Sequence, residues 1–126
     1  MTARVEWLTV CGDADAWRAI GLVVDADGVI PLMGTSIRIV SPEDDSAPLG
    51  ISGWTFSGID PSCDGTSIDG LATSVAEAQV PQYVAHPMGA SGLDHVVVMT
   101  PDLLRTSGAI EHATECELKR VREVGT

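Results

Sequence analysis

Two short segments of similar pattern, 88 residues apart, constrain this chain more than any other feature. VEWLTV at 5–10 and LDHVVV at 93–98 each read as a β-strand, and each runs within a few residues into an acid-capped helix. A strand–helix opening that recurs in this way predicts two related units whose sheets bury against one another. The first copy continues into further strands, whereas the second stops after a strand–helix–strand run. The expectation is an α+β chain with a complete unit at 1–59, a linker at 60–92 that holds a short helix, and an incomplete unit at 93–126.

Local patterns fill in that outline. In RVEWLTV, Val5, Trp7 and Thr9 alternate with Glu6, Leu8 and Val10. The period then changes: Asp13 suits an N-cap, Asp15 the first turn, and Trp17, Ile20 and Val24 recur at helical spacing up to Gly21 and beyond. DADG at 25–28 is a turn. VIPLM at 29–33 predicts an edge strand, because Pro31 has no N–H to give a ladder. TSIRIV offers Ile37 and Ile39 to one face. SPEDDSAPLG is a solvated loop, and GISGWTFSGI resumes strand character with Trp54 and Phe56 on one face. LATSVAEAQ supplies the linker's short helix. In the second unit Thr100, Pro101 and Asp102 open a helix with Leu103, Ser107 and Ile110 along one stripe, and a charged strand follows at roughly 117–124.

Composition enters by exclusion. Eighteen acidic residues against seven basic ones give a net charge of -11, so a phosphate backbone or an anionic lipid surface would be repelled. The only basic cluster, Lys119, Arg120 and Arg122, is flanked by Glu117 and Glu123 and makes no nucleic-acid footprint. Hydrophobic residues make up 44% of the chain, enough for a folded core. Only five residues are aromatic, so each Trp matters for any pocket. Cys11, Cys63 and Cys116 have neither zinc-finger nor disulfide spacing. No apolar stretch approaches the ~18 residues of a membrane span, and no signal core is present. A cytoplasmic chain without membrane or nucleic-acid partners is the expectation.

The stretch from Gly92 to Gly125, and above all LDHVVVMTPDLLRT, resembles the opening of a glyoxalase/bleomycin-resistance module of the vicinal oxygen chelate superfamily. Residues 4–58 are similar to a more divergent copy. The resemblance implies paired βαβββ modules whose curved mixed sheets line a cup. Relatives often hold a divalent metal there with His or Gln from a first strand and Glu from a last strand. On those positions this chain has His95 and Trp7, and GISGWTFSG contains no Glu. One ligating side chain of four remains, so no metal cofactor is expected, with His95 the only candidate. The leading expectation is a glyoxalase-like protein that binds a small organic molecule, with Trp7, Trp54, Phe56 and His95 lining its site. A metal-dependent lyase, isomerase or dioxygenase completed by another chain is the alternative, and a structural or interaction module is the third. An unpaired sheet edge in the incomplete unit predicts either a homodimer or a chain that continues beyond Thr126.

The other polar candidates read as structural. His86 stands in the linker beside Pro87, and His112 sits late in a helix, where it suits the C-terminal dipole. Glu6 and Asp94 occupy matching places in the two copies and read as rim carboxylates. No GxSxG, P-loop or dinucleotide fingerprint occurs.

Overall fold

The computed structural model describes residues 2–80 and 82–118. They form a mixed α+β protein: one open six-stranded mixed sheet with two helices. The strands are β1 (Arg4–Cys11), β2 (Val29–Ile30), β3 (Ser36–Val40), β4 (Gly50–Ser57), β5 (Thr66–Ile68) and β6 (Leu71–Val75). The helices are α1 (Ala14–Ala19) and α2 (Leu103–Thr114). The sheet order is β2-β3-β1-β4-β6-β5.

β1 is central, parallel to β3 and antiparallel to β4. A parallel partner requires a crossover, and α1 lies in it. Its start follows the sequence: Asp13 accepts the Asp15 N–H at 2.9 Å, and Arg18 closes an ion pair with Asp15. The DADG turn forms because Asp25 accepts the N–H groups of Asp27 and Val29. Gly28 there has φ +82°, and a Cβ would stand 2.6 Å from the Ile39 carbonyl oxygen, so only glycine fits. β2 is an edge strand, as Pro31 requires, and β3 buries Ile37 and Ile39.

A β-bulge on β1 adjusts the simple alternation. Val5 opposes Phe56 and Trp7 opposes Thr55, so Glu6 is the extra residue. Both Glu6 and Trp7 thereby turn to the face that carries Thr55 and Ser57. Val5, Leu8 and Val10 share the other, apolar face with Ile37, Ile39, Trp54 and Phe56. Two core clusters stand on that face. Val10, Leu22, Val24, Ile30, Leu32, Ile37 and Ile39 build one, with Trp17 against it. Phe56, Ile59 and Ile68 build the other, covered by Ala109, Ile110 and Ala113 of α2.

Several expectations are corrected. LATSVAEAQ is not a helix: Leu71–Val75 is β6, parallel to β4 with Trp54 opposite Thr73. Ladder pairing with β4 overrides the helix preference of the alanines. Residues 60–92 are therefore more than a linker, since β5 and β6 belong to the same sheet as β1. Residues 93–99 form no strand. A single bridge joins Gly92 to Met33, and beyond it the apolar run lies over the sheet without a ladder. In α2 the inward residues are Thr106, Ile110, Ala113 and Thr114, whereas Leu103 is exposed. Of the strand expected at 117–124, residues 117–118 are in no strand and 119–124 fall outside the described residues. No helix among the described residues is long and apolar enough to cross a membrane.

Candidate functional site

Between the two core clusters the apolar face is not filled, and a cavity of about 340 Å³ remains. Leu8 of β1, Trp54 of β4 and Leu71 of β6 form its floor, and Val96–Met99 its roof. The floor follows from register, because Trp54 lies opposite both Leu8 and Thr73. Gly53 lets β4 and β6 approach: a Cβ there would stand 3.0 Å from the Ala72 carbonyl oxygen.

Trp54 is held in place. Its indole N–H donates to Thr73 Oγ1 at 2.8 Å, and the Thr73 hydroxyl donates to the Leu71 carbonyl at 2.8 Å. Phe56 meets the indole edge-on, with centroids 4.9 Å apart and planes at 70°. A ring fixed by a hydrogen bond and an aromatic contact offers a preformed surface.

The roof is fastened at both ends. Before it, His86 is buried: its Nδ1 accepts the Val23 N–H at 3.0 Å, and Nε2 lies 2.7 Å from the Pro31 carbonyl. Those partners select the neutral Nε2–H tautomer, with Nε2 donating. Met88 N–H donates to the Gly21 carbonyl and Met33 N–H to that of Ser91, tying 86–92 to the first core cluster. After the roof, the Asp69 carboxylate takes hydrogen bonds from the Thr106 hydroxyl and from Arg105 Nε at 2.8 Å. Thr100 Oγ1 lies 2.7 Å from Thr106 Oγ1. The Thr106 hydroxyl, and then the Arg105 guanidinium, hold the Asp69 carboxyl below the usual carboxylate range. The same carboxylate pushes the Arg105 guanidinium up.

The cavity lining carries no titratable side chain, and Ser52 is its one side-chain hydroxyl. It offers apolar walls and an indole to an aromatic molecule, but it holds no group to move a proton.

Of the four residues expected from sequence, only Trp54 and Phe56 meet. Trp54 is in the cavity wall. Phe56 stands behind it, buried in the second cluster. Trp7 lies on the opposite face, under the Arg38 guanidinium, whose carbon is 4.4 Å from the indole centroid. His95 is exposed and pairs with Asp94 at 2.6 Å, outside the cavity lining. Nor do these positions fit a divalent metal. Trp7 has no ligating atom, β4 has no Glu, and among the described residues no three His, Cys, Asp or Glu side chains are grouped to hold one.

Leu8, Leu71, His86 and Asp69 build the site without having been marked as site residues. For Asp69 a signal existed, since Asp-Gly between Ile68 and Leu71 is a hairpin signature. Glu6 is no rim acid: it is 2% exposed, accepting the Ser57 hydroxyl at 2.6 Å and the Gln79 N–H at 3.2 Å. His86 gave no signal, because its role depends on two loops meeting in space.

No family model, no curated protein and no solved structure matches this chain.

Proposed function

We propose that the chain binds a small, predominantly apolar organic molecule between Trp54 and the segment 96–99. The observation that carries this reading is the apolar cleft itself: about 340 Å³, open to solvent on one side, floored by a fixed indole and flanked by a segment tied down at both ends. Small-molecule sites typically have ~300–1,000 Å³ and mainly apolar walls. This volume suits a one- or two-ring compound. Binding without catalysis is favoured by the lining, which has no acid or base and whose one hydroxyl, Ser52, has no base to activate it.

The glyoxalase-like assignment belongs to the same proposal. Its support is the element order β1–α1–β2–β3–β4 within residues 4–57 and the helix that follows Thr100–Asp102. The paired arrangement of two βαβββ modules rests on the family resemblance of residues 92–125 and 4–58.

The test is titration of the purified chain with 1-naphthol, read by thermal shift and by methyl NMR. A saturable rise in melting temperature, with shifts at Leu8, Leu71 and Val98, is expected. Leu71→Phe fills the cavity and is expected to weaken binding about tenfold or more, roughly the cost of a lost apolar contact. An unsaturable response, or one that Leu71→Phe leaves unchanged, overturns the reading.

A further inference from the structure

The sheet face opposite the Trp54 cavity has a smaller depression of about 180 Å³ with very different walls. Arg4, Glu6, Trp7, Arg38, Gln79 and Gln82 line it. Its charges divide into groups the chain satisfies and one it leaves open. The Glu6 carboxylate accepts the Ser57 hydroxyl and the Gln79 N–H and lies 3.7 Å from Arg4 Nε. Asp25, also at the wall, accepts the N–H groups of Asp27 and Val29, each at 2.9 Å. Elsewhere Arg18 pairs with Asp15, and Arg105 with Asp69 and Asp102.

Arg38 differs. Among the described residues it has no ion-pair or hydrogen-bond acceptor, although the chain has 18 acidic side chains to seven basic ones. Trp7 holds the guanidinium over its ring and reduces its freedom, but an indole face accepts none of the five N–H bonds in the guanidinium plane. A half-buried, positioned donor fork without an acceptor calls for a carboxylate-type partner.

We propose that this depression is a second ligand site that holds a small monocarboxylate, with Arg38 as its charged contact and Trp7 as the platform for guanidinium and ligand. The space admits only a few heavy atoms beyond the carboxylate. The wall also sets the charge of the ligand. Arg4 and Arg38 against Glu6 and Asp25 leave the wall without net charge, so a ligand of one negative charge meets the open guanidinium at half the carboxylate repulsion that a dianion such as hydrogen phosphate would meet. The site is separate from the Trp54 cavity because the sheet lies between them, and it stands or falls without that reading.

The experiment uses NMR on the full chain, following the Arg38 Nε–Hε and Trp7 indole N–H signals. Sodium propionate is titrated against sodium chloride at equal ionic strength, against propionamide and against phosphate. Propionate is expected to shift both signals saturably in the millimolar range, leaving the Trp54 indole unmoved, and propionamide is expected to do nothing. Arg38→Gln is expected to weaken the response at Trp7 about tenfold or more, the loss of roughly 1.4 kcal/mol of charge-assisted contact. Arg38→Lys retains the charge on a flexible stem and is expected to fall between. Equal shifts with chloride, tighter binding of phosphate than of propionate, or an Arg38→Gln chain that titrates like the parent would each overturn the proposal.

Discussion

Residues 5–10 lie at the centre of the sheet, whereas residues 93–98, with a similar run of apolar and β-branched side chains, lie across its face without a ladder. The first segment has a partner on each side, β3 brought round by the α1 crossover and β4 returning antiparallel. The second has one bridge, at Gly92, and exposes Val97 and Met99 to solvent. β-Preference describes how well side chains suit a pleated, half-buried surface, and neighbours decide whether a strand forms. The two segments meet at the cavity, one supplying Leu8 to its floor and the other Val96–Met99 to its roof.

The largest expected contrast is in core packing. Leu8 is 5% exposed and Val97 65%. Leu8→Ala is expected to cost about 2–5 kcal/mol in urea unfolding, and Val97→Ala no more than about 0.5. Comparable losses for both would show that 93–98 is packed as a strand after all. The next contrast concerns the acids that precede the two apolar runs. The buried Glu6 carboxylate serves two donors, while the side chain of Asp94 is exposed and among the described residues meets only His95. Glu6→Gln can still accept the Ser57 hydroxyl, but it turns an amide N–H toward a second donor. A cost of about 1–3 kcal/mol is expected, against a change within about 0.5 for Asp94→Asn. A neutral Glu6→Gln would mean that water enters beside Gln79 and that this face of β1 is open.

How much of this was legible follows the same division. Local chemistry read well where hydrogen-bond partners are close in sequence: the Asp13 cap, the DADG turn, the edge strand stopped by Pro31, and the buried pair Ile37 and Ile39. It failed where distant partners decide. Leu71–Val75 is a strand because β4 lies beside it, and Glu6 is buried because a bulge turns it against Ser57 and Gln79. Of the candidate site, Trp54 was legible as an aromatic on a strand face. Its separation from Trp7 depends on the faces of β1 and β4, which the bulge fixes. His95 was misplaced because the segment that carries it lacks a ladder.

The smallest expected effect is local and pH-dependent, and it concerns how the roof segment is held. Asp69 joins the β5–β6 turn to the start of α2 through Thr106 and Arg105, and its carboxyl is depressed in the folded chain. A pKa lower in the folded than in the unfolded state contributes stability that is fully present above the unfolded value, about 3.9. That contribution is lost as pH falls through the lower, folded value. Acid should therefore loosen α2 before it touches β1, whose neighbours lie on both sides in the sheet. Amide protection of residues 106–114 is expected to hold down to about pH 4 and to drop below it, while that of residues 5–10 holds until global unfolding. Asp69→Asn keeps the shape without the titration, so its α2 is expected to be less protected at the higher pH and insensitive to the change. If α2 and β1 lose protection together, or if Asp69→Asn retains the acid response, the roof is fastened elsewhere and the two segments are one cooperative unit.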